Sequence, residues 1–308
     1  MDIIHAKPIL KWVGGKRDLL NEIDSRFPFK RYDKFNYIET CVGGGAVLFW
    51  VLRNFPNVQK VIINDLNTDL INMYKAVQDT VEDVIALLAV WEKEYHNLSD
   101  NEEEKKEYYY AKRVLFNTRS SAKITHAALF IFLNKTGFNG LYRVNKKNEF
   151  NVPIGNYSSK ATICDSDNLR VASQALKKVT ILQGDFEATL FHAKGNETCF
   201  YIDPPYKPIS KSSNFTSYAI TPFDDNEQTR LKQFCDLINS QGHKWILSNS
   251  DLKNEDTDND YFDELYADYH IGRVQTKRRI NSKSSGRGNV YELMITNYKS
   301  LDSDQLVA

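Results

Sequence analysis

The order strand, glycine turn, helix, strand between residues 35 and 65 constrains the fold of this chain more than any other feature. Residues 35–39, with Tyr37 and Ile38 at their centre, and residues 60–65, with the run Val61-Ile62-Ile63, are each expected to form a strand. Between them lie a turn at 42–45 with three consecutive glycines and a segment at 46–52 that is apolar on every side, as in a buried helix. This pattern is typical of a βαβ unit and predicts an α/β fold.

Downstream of this unit, the α/β pattern is interrupted and then resumes. Residues 68–119 and 127–133 are expected to be helical, with the charged run 102–107 on a solvated helix face. Strand signals return further along the chain at 179–182, 199–202, 244–247 and 291–296. The sequence therefore predicts a Rossmann-like sheet domain formed by residues 1–69 and 166–308, with a mainly helical insert at 70–165.

Composition limits the class of protein. Hydrophobic residues make up 42% of the chain and charged residues 26%, which is ordinary for a globular protein. No run approaches the roughly eighteen apolar residues of a membrane span, and the N-terminus lacks the layout of a secretory signal. The cysteines are widely spaced and form no CxxC pair: Cys41, Cys164, Cys199 and Cys235. We expect a cytoplasmic protein without a membrane segment and without a bound metal.

Charge is unevenly distributed although the formal net charge is zero. Residues 273–287 contain six basic residues and no acidic one, whereas residues 251–268 contain eight acidic residues and one lysine. This segregation favours a basic surface that binds nucleic acid, with Arg278 and Arg279 at its centre. The alternative interpretation is two solvated loops that differ in sign.

The tetrapeptide Asp203-Pro204-Pro205-Tyr206 directly follows an apolar strand. In an open α/β sheet, ligands bind at the carboxyl ends of strands. The Asp203 carboxylate and the Pro204 carbonyl can each accept a hydrogen bond from an amino group, and Tyr206 offers a face on which a planar base can stack. Two such bonds would direct the nitrogen lone pair toward an electrophilic methyl group. The alternative is a strand-terminating turn, in which Asp and Pro are common.

The glycine turn indicates a nucleotide-like ligand. Asp65 lies 22 residues after Gly43, and an acid at about that distance commonly binds ribose hydroxyls in nucleotide-binding βαβ units. The turn does not have the GxGxxG spacing of NAD-binding proteins. A second glycine-lysine element, at residues 11–16, lacks the form of a phosphate-binding loop because Arg17 follows the lysine.

The order of these motifs resembles that of the Dam-like, alpha-class (D12 family) DNA adenine-N6 methyltransferases. The resemblance covers nearly the whole chain and includes residues 7–16, 39–47, 138–143, 150–155, 203–206, 214–218 and 278–281, together with Asp65. It implies S-adenosyl-L-methionine as the methyl donor and double-stranded DNA as the substrate. It further implies that the sheet domain is the catalytic domain and that the helical insert is the target-recognition domain.

The resemblance also implies roles for individual residues. Those expected to bind the donor are Trp12, Lys16, Glu39, Gly43, Asp65 and Asp203. Those expected to contact or intercalate DNA are Lys11, Phe138, Asn139, Leu141, Arg143 and Pro153. Alternatively, Phe138 and Leu141 are core residues and Trp12 caps an apolar cluster. Thr40-Cys41 stands where the family usually has Pro-Phe, which removes an aromatic side chain beside the donor and leaves donor affinity open.

The expected reaction is methylation of adenine that has been flipped out of the duplex, with Asp203, Pro204 and Tyr206 as the catalytic residues. Asn139, Leu141 and Arg143 fit recognition of GATC. The alternatives are methylation of cytosine N4, which is more often associated with Ser in place of Asp203, methylation of RNA or protein glutamine, and a catalytically inactive DNA-binding regulator. A monomer or weak dimer is expected, and a functional link to a restriction endonuclease is left open.

Overall fold

The structure, a computed structural model, describes residues 5–98, 101–156, 161–207, 223–277 and 289–299. Within these ranges, seven strands form one sheet in the order β3-β2-β1-β4-β5-β7-β6. The strands are β1 (Asn36–Glu39), β2 (Lys60–Ile63), β3 (Val179–Ile181), β4 (Thr198–Ile202), β5 (Lys244–Ser250), β6 (His270–Lys277) and β7 (Asn289–Thr296). The first five are parallel, and β7 runs antiparallel to both β5 and β6. The predicted Rossmann-like α/β sheet is confirmed.

The chain connectivity creates a crevice at one edge of this sheet. From β1 the chain moves outward to β2 and β3, and it then returns so that β4 pairs with the other side of β1. In this register, Glu39 at the end of β1 lies between Ile63 and Tyr201. A ligand-binding crevice is expected at such a reversal of strand order, outside the carboxyl ends of the strands.

Helices cover both faces of the sheet. In chain order they are α1 (Leu20–Arg26), α2 (Ala46–Asn54), α3 (Thr68–Asp79), α4 (Val81–Asn97), α5 (Glu102–Asn117), α6 (Lys123–Thr136), α7 (Ser166–Leu176), α8 (Asp225–Ser240) and α9 (Tyr261–Leu265). Side-chain caps define several of their starts: the Asn67 carbonyl accepts from the Leu70 amide at α3, and Asn101 accepts from the Glu103 and Glu104 amides at α5. The first turn of α5 is exposed, as predicted for the charged run.

The apolar core is continuous from the sheet into the insert. One core cluster packs one face of the sheet against α2, α3 and α6, while a second lies on the opposite face under α8 and α9. Helix α6 is buried along most of its length, and α3 packs against both α6 and α7. The predicted helical insert therefore shares its core with the sheet. Within the described ranges, no helix is both long and apolar enough to cross a bilayer.

The charge-segregated region has a more specific structure than the sequence indicates. Arg273 lies on β6, and its guanidinium forms ion pairs with Asp251 at 2.8 Å and Asp263 at 2.7 Å. Asp251 and Asp263 of the acidic segment therefore neutralise the charge of Arg273, the first residue of the basic segment. The acidic and basic segments thus contact each other beside β6. Arg278 and Arg279, predicted to bind DNA, lie outside the described residues.

Candidate active site

A cavity of about 1120 Å³ opens at the carboxyl ends of β1, β2 and β4. The structure brings together in its wall every residue predicted for catalysis or donor binding. These are Trp12, Lys16, Glu39, Gly43, Asp65, Asp203, Pro204 and Tyr206. Four segments that are separated in sequence, at residues 12–16, 39–43, 65 and 203–206, thus meet where the strand order reverses.

Asp203 lies immediately after β4 and is paired with a buried cation. The Lys16 ammonium is 2.8 Å from the Asp203 carboxylate and also donates to the Gly14 carbonyl at 2.6 Å. Lys16 is only 4% exposed, whereas Asp203 is 21% exposed to the cavity. Burial raises the pKa of Asp203 to about 6; Lys16 opposes this shift, and the nearby Glu292 carboxylate adds to it. Asp203 is therefore an ionised hydrogen-bond acceptor near neutral pH.

Tyr206 is held in place by a carboxylate that sequence reasoning missed. Its hydroxyl donates to Glu292 Oε2 at 2.6 Å, and the Lys16 ammonium lies 4.7 Å from its ring centroid. Glu292 comes from β7, opposite Ser250 of β5. The one available signal was an acidic residue within an otherwise apolar strand.

The glycine turn is shaped by Asp65 and Trp12. The Asp65 carboxylate accepts from the Gly43 amide at 3.0 Å and from the Asn67 amide at 2.9 Å. Burial raises the pKa of Asp65, and these two hydrogen bonds oppose the rise. A Cβ at Gly43 would lie 2.8 Å from the Trp12 indole nitrogen, and one at Gly44 would lie 2.7 Å from the Trp12 Cβ. These glycines are therefore required by the close approach of Trp12.

The floor of the cavity contains a second carboxyl group, that of Glu39. It is buried and accepts a hydrogen bond from the Tyr37 hydroxyl at 2.8 Å. Burial raises the pKa of Glu39 well above its usual range. The adjacent Thr40 and Cys41, the departure from the usual family pattern, also line the cavity, and burial keeps the Cys41 thiol neutral by raising its pKa.

The loop after β3 supplies two further wall residues that sequence reasoning missed, Asp185 and Phe186. Asp185 is paired with Arg230 of α8 at 2.8 Å, and the Arg230 guanidinium lies 4.4 Å from the Phe186 ring centroid. This arrangement fixes an aromatic ring at the cavity edge. An acid just after the third strand was the available signal.

Most of the predicted DNA-binding residues form one surface beside the cavity. Phe138, Asn139 and Pro153 are exposed, and Phe138 shows 48% of its surface. Phe138 is therefore not a core residue, whereas Leu141 is half-buried against the core. Trp12 combines both interpretations, because it packs against the core and also lines the cavity.

The loop that carries these residues has a tightly defined backbone. We call residues 138–143 the reading loop. The Phe138 amide donates to the Pro153 carbonyl at 2.9 Å, and Asn139 adopts a φ of 53°. The Asn134 side-chain amide donates to the carbonyls of Lys11 and Gly140, each at 2.8 Å. The loop is thereby fixed to the segment that contains Lys11.

Arg143 is oriented by Asn151. Its Nε donates to the Asn151 side-chain oxygen at 2.7 Å and its Nη2 to the Asn151 carbonyl at 3.3 Å. A guanidinium held in this way is pre-organised, which is the condition for a specific two-bond contact with a planar partner. Among the described residues, no group of three His, Cys, Asp or Glu side chains is placed to hold a metal ion.

Comparison with known proteins agrees with this geometry. A family model described as D12 class N6 adenine-specific DNA methyltransferase matches residues 12–280. Type II methyltransferase M.MjaIII of Methanocaldococcus jannaschii is 44% identical, covering 96% of this chain and 100% of that protein. Type II methyltransferase M1.LlaDCHI of Lactococcus lactis subsp. cremoris is 35% identical, with 96% of each chain covered. A DNA adenine methylase of Haemophilus influenzae is also 35% identical and covers 94% of this chain and 93% of its own. The chain therefore belongs to the D12 class of N6 adenine-specific DNA methyltransferases.

Proposed function

We propose that this enzyme transfers the methyl group of S-adenosyl-L-methionine to N6 of adenine in duplex DNA, at the sequence GATC, after flipping the base out of the helix. One observation carries the proposal: the Asp203 carboxylate and the Tyr206 ring share a cavity with the Asp65 carboxylate. The first two residues suit an exocyclic amine on a planar base, and the third suits a ribose.

The fit of the donor is supported by the chemistry of the wall. Each Asp65 oxygen accepts one backbone N–H and keeps a lone pair for a ribose hydroxyl. Lys16 and Asp203 present opposite charges that match the carboxylate and ammonium of the amino-acid portion of the donor. When bound, the donor supplies an electrophilic methyl group on a sulfonium. The cavity volume of about 1120 Å³ is large enough for both the donor and a base.

The residues around Asp203 position the target amine. Asp203 and the Pro204 carbonyl accept hydrogen bonds from the two N–H groups of adenine N6. This directs the lone pair of N6 toward the methyl group. Tyr206, held by Glu292, provides the stacking face. When the N–C bond forms and the S–C bond breaks, S-adenosyl-L-homocysteine would leave as a neutral thioether, and the nitrogen would become positively charged and then release one proton to solvent. Asp203 stabilises that charge, which is the electrostatic contribution of the site.

Target recognition falls to the reading loop and its neighbours. The exposed Phe138 ring fills the gap that the flipped base leaves, since stacking on an aromatic ring is worth about 1–3 kcal/mol per base. Arg143, oriented by Asn151, makes a two-bond contact with a guanine. We propose residues 70–165 as the target-recognition domain and the rest of the chain as the catalytic domain. A monomer or weak dimer, and any partner endonuclease, stay predictions.

Single-molecule sequencing of DNA from cells that express this protein tests the proposal, because it reports the methylated base and its context together. We expect N6-methyladenine within GATC. Methylation of adenine in another context would overturn the GATC assignment alone. N4-methylcytosine would support the alternative reaction, and unmodified DNA would indicate a regulator that only binds.

Replacing Arg143 tests the reading role separately. Arg143→Ala should relax specificity at one position of the target, since a two-bond contact with guanine contributes about 1–3 kcal/mol of discrimination. The measurement is the transfer rate on a set of duplexes that differ at single positions. A uniform fall in rate on every duplex would make Arg143 a phosphate contact instead.

A further inference from the structure

A polar cluster of Asp69, Arg119, His126 and Tyr142 lines the same cavity as Asp203. The Asp69 carboxylate, 6% exposed, accepts from three side chains at once. Oδ1 accepts from His126 at 2.9 Å and from Arg119, and Oδ2 accepts from the Tyr142 hydroxyl at 2.8 Å. Burial alone would raise the pKa of Asp69, but the hydrogen bonds from His126 and Arg119 lower it. Asp69 is therefore an ionised centre to which three separate segments are attached.

Asp69 belongs to the element that borders the donor side of the cavity. It lies in the first turn of α3, four residues after Asp65. The same helix carries Tyr74, whose hydroxyl donates to the Gly43 carbonyl at 2.9 Å. Helix α3 thus contacts the glycine turn at one position and holds the Asp69 cluster at another.

Tyr142 belongs to the reading loop, the segment that we propose binds DNA. It lies between Leu141 and Arg143, both predicted to contact DNA. Its ring stacks on the Trp12 indole, with ring centroids 5.8 Å apart and planes inclined by 21°. Trp12 in turn packs on Gly43 at the distance that excludes a Cβ there. Tyr142 therefore contacts the donor side twice, by its hydroxyl through Asp69 and by its ring through Trp12.

We propose that Tyr142 is a positioning residue that couples the reading loop to the glycine turn, so that DNA and donor each bind more tightly in the presence of the other. This inference rests on the proposed function, because it takes the reading loop as the DNA site and the glycine turn as the donor site. Nothing in the reaction itself requires such a link: Tyr142 touches neither Asp203 nor Tyr206 in the described contacts.

The sign of the coupling follows from shared ordering. A ligand that binds the reading loop further restrains Tyr142, and through it Trp12 and the start of α3. The second ligand then meets a turn that is already ordered and loses less conformational entropy on binding. By thermodynamic reciprocity, the factor by which DNA raises donor affinity equals the factor by which donor raises DNA affinity.

The test measures that factor with S-adenosyl-L-homocysteine, which binds without reacting. Its dissociation constant is determined by calorimetry, alone and with a saturating short duplex that carries the target found by sequencing. We expect the duplex to tighten binding by about 5-fold to 150-fold, the usual range for coupled sites. A factor of one in the wild-type protein would overturn the inference but leave the proposed function standing. Failure of either ligand to bind would overturn both the inference and the proposed function.

Two variants and a matched control locate the coupling. Tyr142→Phe removes the bond to Asp69 but keeps the ring on Trp12, and it should reduce the factor; Tyr142→Ala should bring it to about one. Tyr298→Phe is the control: it removes one hydroxyl bond, to the Arg26 carbonyl at 2.8 Å, from a half-buried tyrosine far from both sites.

A stabilising role alone would lower the melting temperature of all three variants and leave the coupling factor unchanged. An unchanged factor in Tyr142→Phe and Tyr142→Ala therefore overturns the inference. If Tyr142→Ala fails to fold, Tyr142→Phe decides the result, because its ring still fills the same space. A reduced factor in Tyr142→Phe with a normal factor in Tyr298→Phe supports it.

Discussion

At the residue scale, the behaviour of the site depends on the charges around Asp203. Burial raises the pKa of Asp203 to about 6, and in the proposed mechanism its ionised form accepts one of the two N–H groups of the target amine. The specificity constant kcat/KM for methyl transfer should therefore be level at neutral and mildly alkaline pH and fall as the pH drops through about 6. Initial rates with labelled donor across this range measure it, and a rate that rises on acidification would contradict the assignment.

Replacing Lys16, the neighbouring cation, should change the pH at which kcat/KM falls on acidification. We call this part of the pH profile the acid limb. Lys16 lowers the pKa of Asp203 by its charge and its hydrogen bond, so Lys16→Met should shift the fall in kcat/KM to higher pH. The variant should also bind donor more weakly, because Lys16 lines the same pocket. The position of the limb, unlike the absolute rate, reports only the titration. A limb that stays in place would mean that another group controls it.

Removing the neighbouring carboxylate should have the opposite effect. Glu292 raises the pKa of Asp203, and Glu292→Gln removes that charge while the amide oxygen can still accept from the Tyr206 hydroxyl. The acid limb should move to lower pH, with the plateau rate largely kept. Glu292→Ala is the comparison: it leaves the phenol unpartnered and should lower the plateau by about tenfold, the effect of one lost hydrogen bond. Limbs that shift in the same direction in Lys16→Met and Glu292→Gln would refute the electrostatic account.

At the scale of elements, the reading loop depends on a backbone turn that only glycine can form. Gly140 has a φ of 64°, and a Cβ there would lie 2.5 Å from the Cβ of Lys11. Gly140→Ala should therefore displace Lys11 and weaken duplex binding as well as lower stability. Gly242→Ala is a matched control, because its φ is 77° and nothing lies within 4 Å of the added atom.

The two glycine variants are compared by thermal unfolding and by duplex affinity. Both should lose about 1 kcal/mol or more of stability from backbone strain, but only Gly140→Ala should lose affinity for DNA. Equal affinity in the two variants would show that the turn is needed for folding alone.

The elements differ in how far the sequence predicts them. Apolar runs predict β2 and β4 closely, and Tyr37 and Ile38 indicate β1, because a parallel sheet buries both faces of each strand. Strand β6 has no such run: His270–Lys277 is polar at most positions, since it is the edge strand and pairs only with β7. Its sequence therefore indicates a basic segment but does not indicate a strand.

The candidate site shows the same division. Asp203 and Asp65 are predictable because Asp203 directly follows an apolar strand and Asp65 lies at the end of one, where ligands bind in an open α/β sheet. Glu292 and the Asp69 cluster are not, since the partner of Glu292 lies 86 residues away and those of Asp69 lie 50 to 73 residues away, and they meet only in the folded chain. Sequence spacing carries information about local turns, but not about which distant side chains share a cavity.

At the scale of the whole molecule, the net charge is zero, but the basic and acidic residues are unevenly distributed along the chain. Arg279, within the basic segment, is predicted to contact a phosphate, so Arg279→Gln should weaken binding to all duplexes alike. The slope of log affinity against log salt should become shallower by about one unit. Arg273→Gln is the control, because Arg273 is already paired with Asp251 and Asp263. It should lower the melting temperature and leave the slope unchanged. If neither variant alters the slope, the segment does not bind DNA.

We propose that Asp203 carries the chemistry of methyl transfer, whereas other segments carry the affinity for DNA. Asp203→Ala removes the acceptor for the target amine, and losses of single oriented electrostatic groups lower turnover by about 100-fold to 1000-fold. Because the variant also leaves Lys16 without its partner carboxylate, thermal unfolding must first show that it is folded. Duplex affinity should stay near normal, since it comes mainly from phosphate contacts elsewhere.

The decisive measurement is methyl transfer from labelled S-adenosyl-L-methionine to duplex DNA, made beside a duplex-binding assay on the same preparations of wild type and Asp203→Ala. We expect active wild-type enzyme and a variant that binds the duplex but transfers the methyl group at most about one hundredth as fast. A variant with near-normal turnover, or a wild-type protein that binds both ligands and transfers nothing, would contradict this proposal.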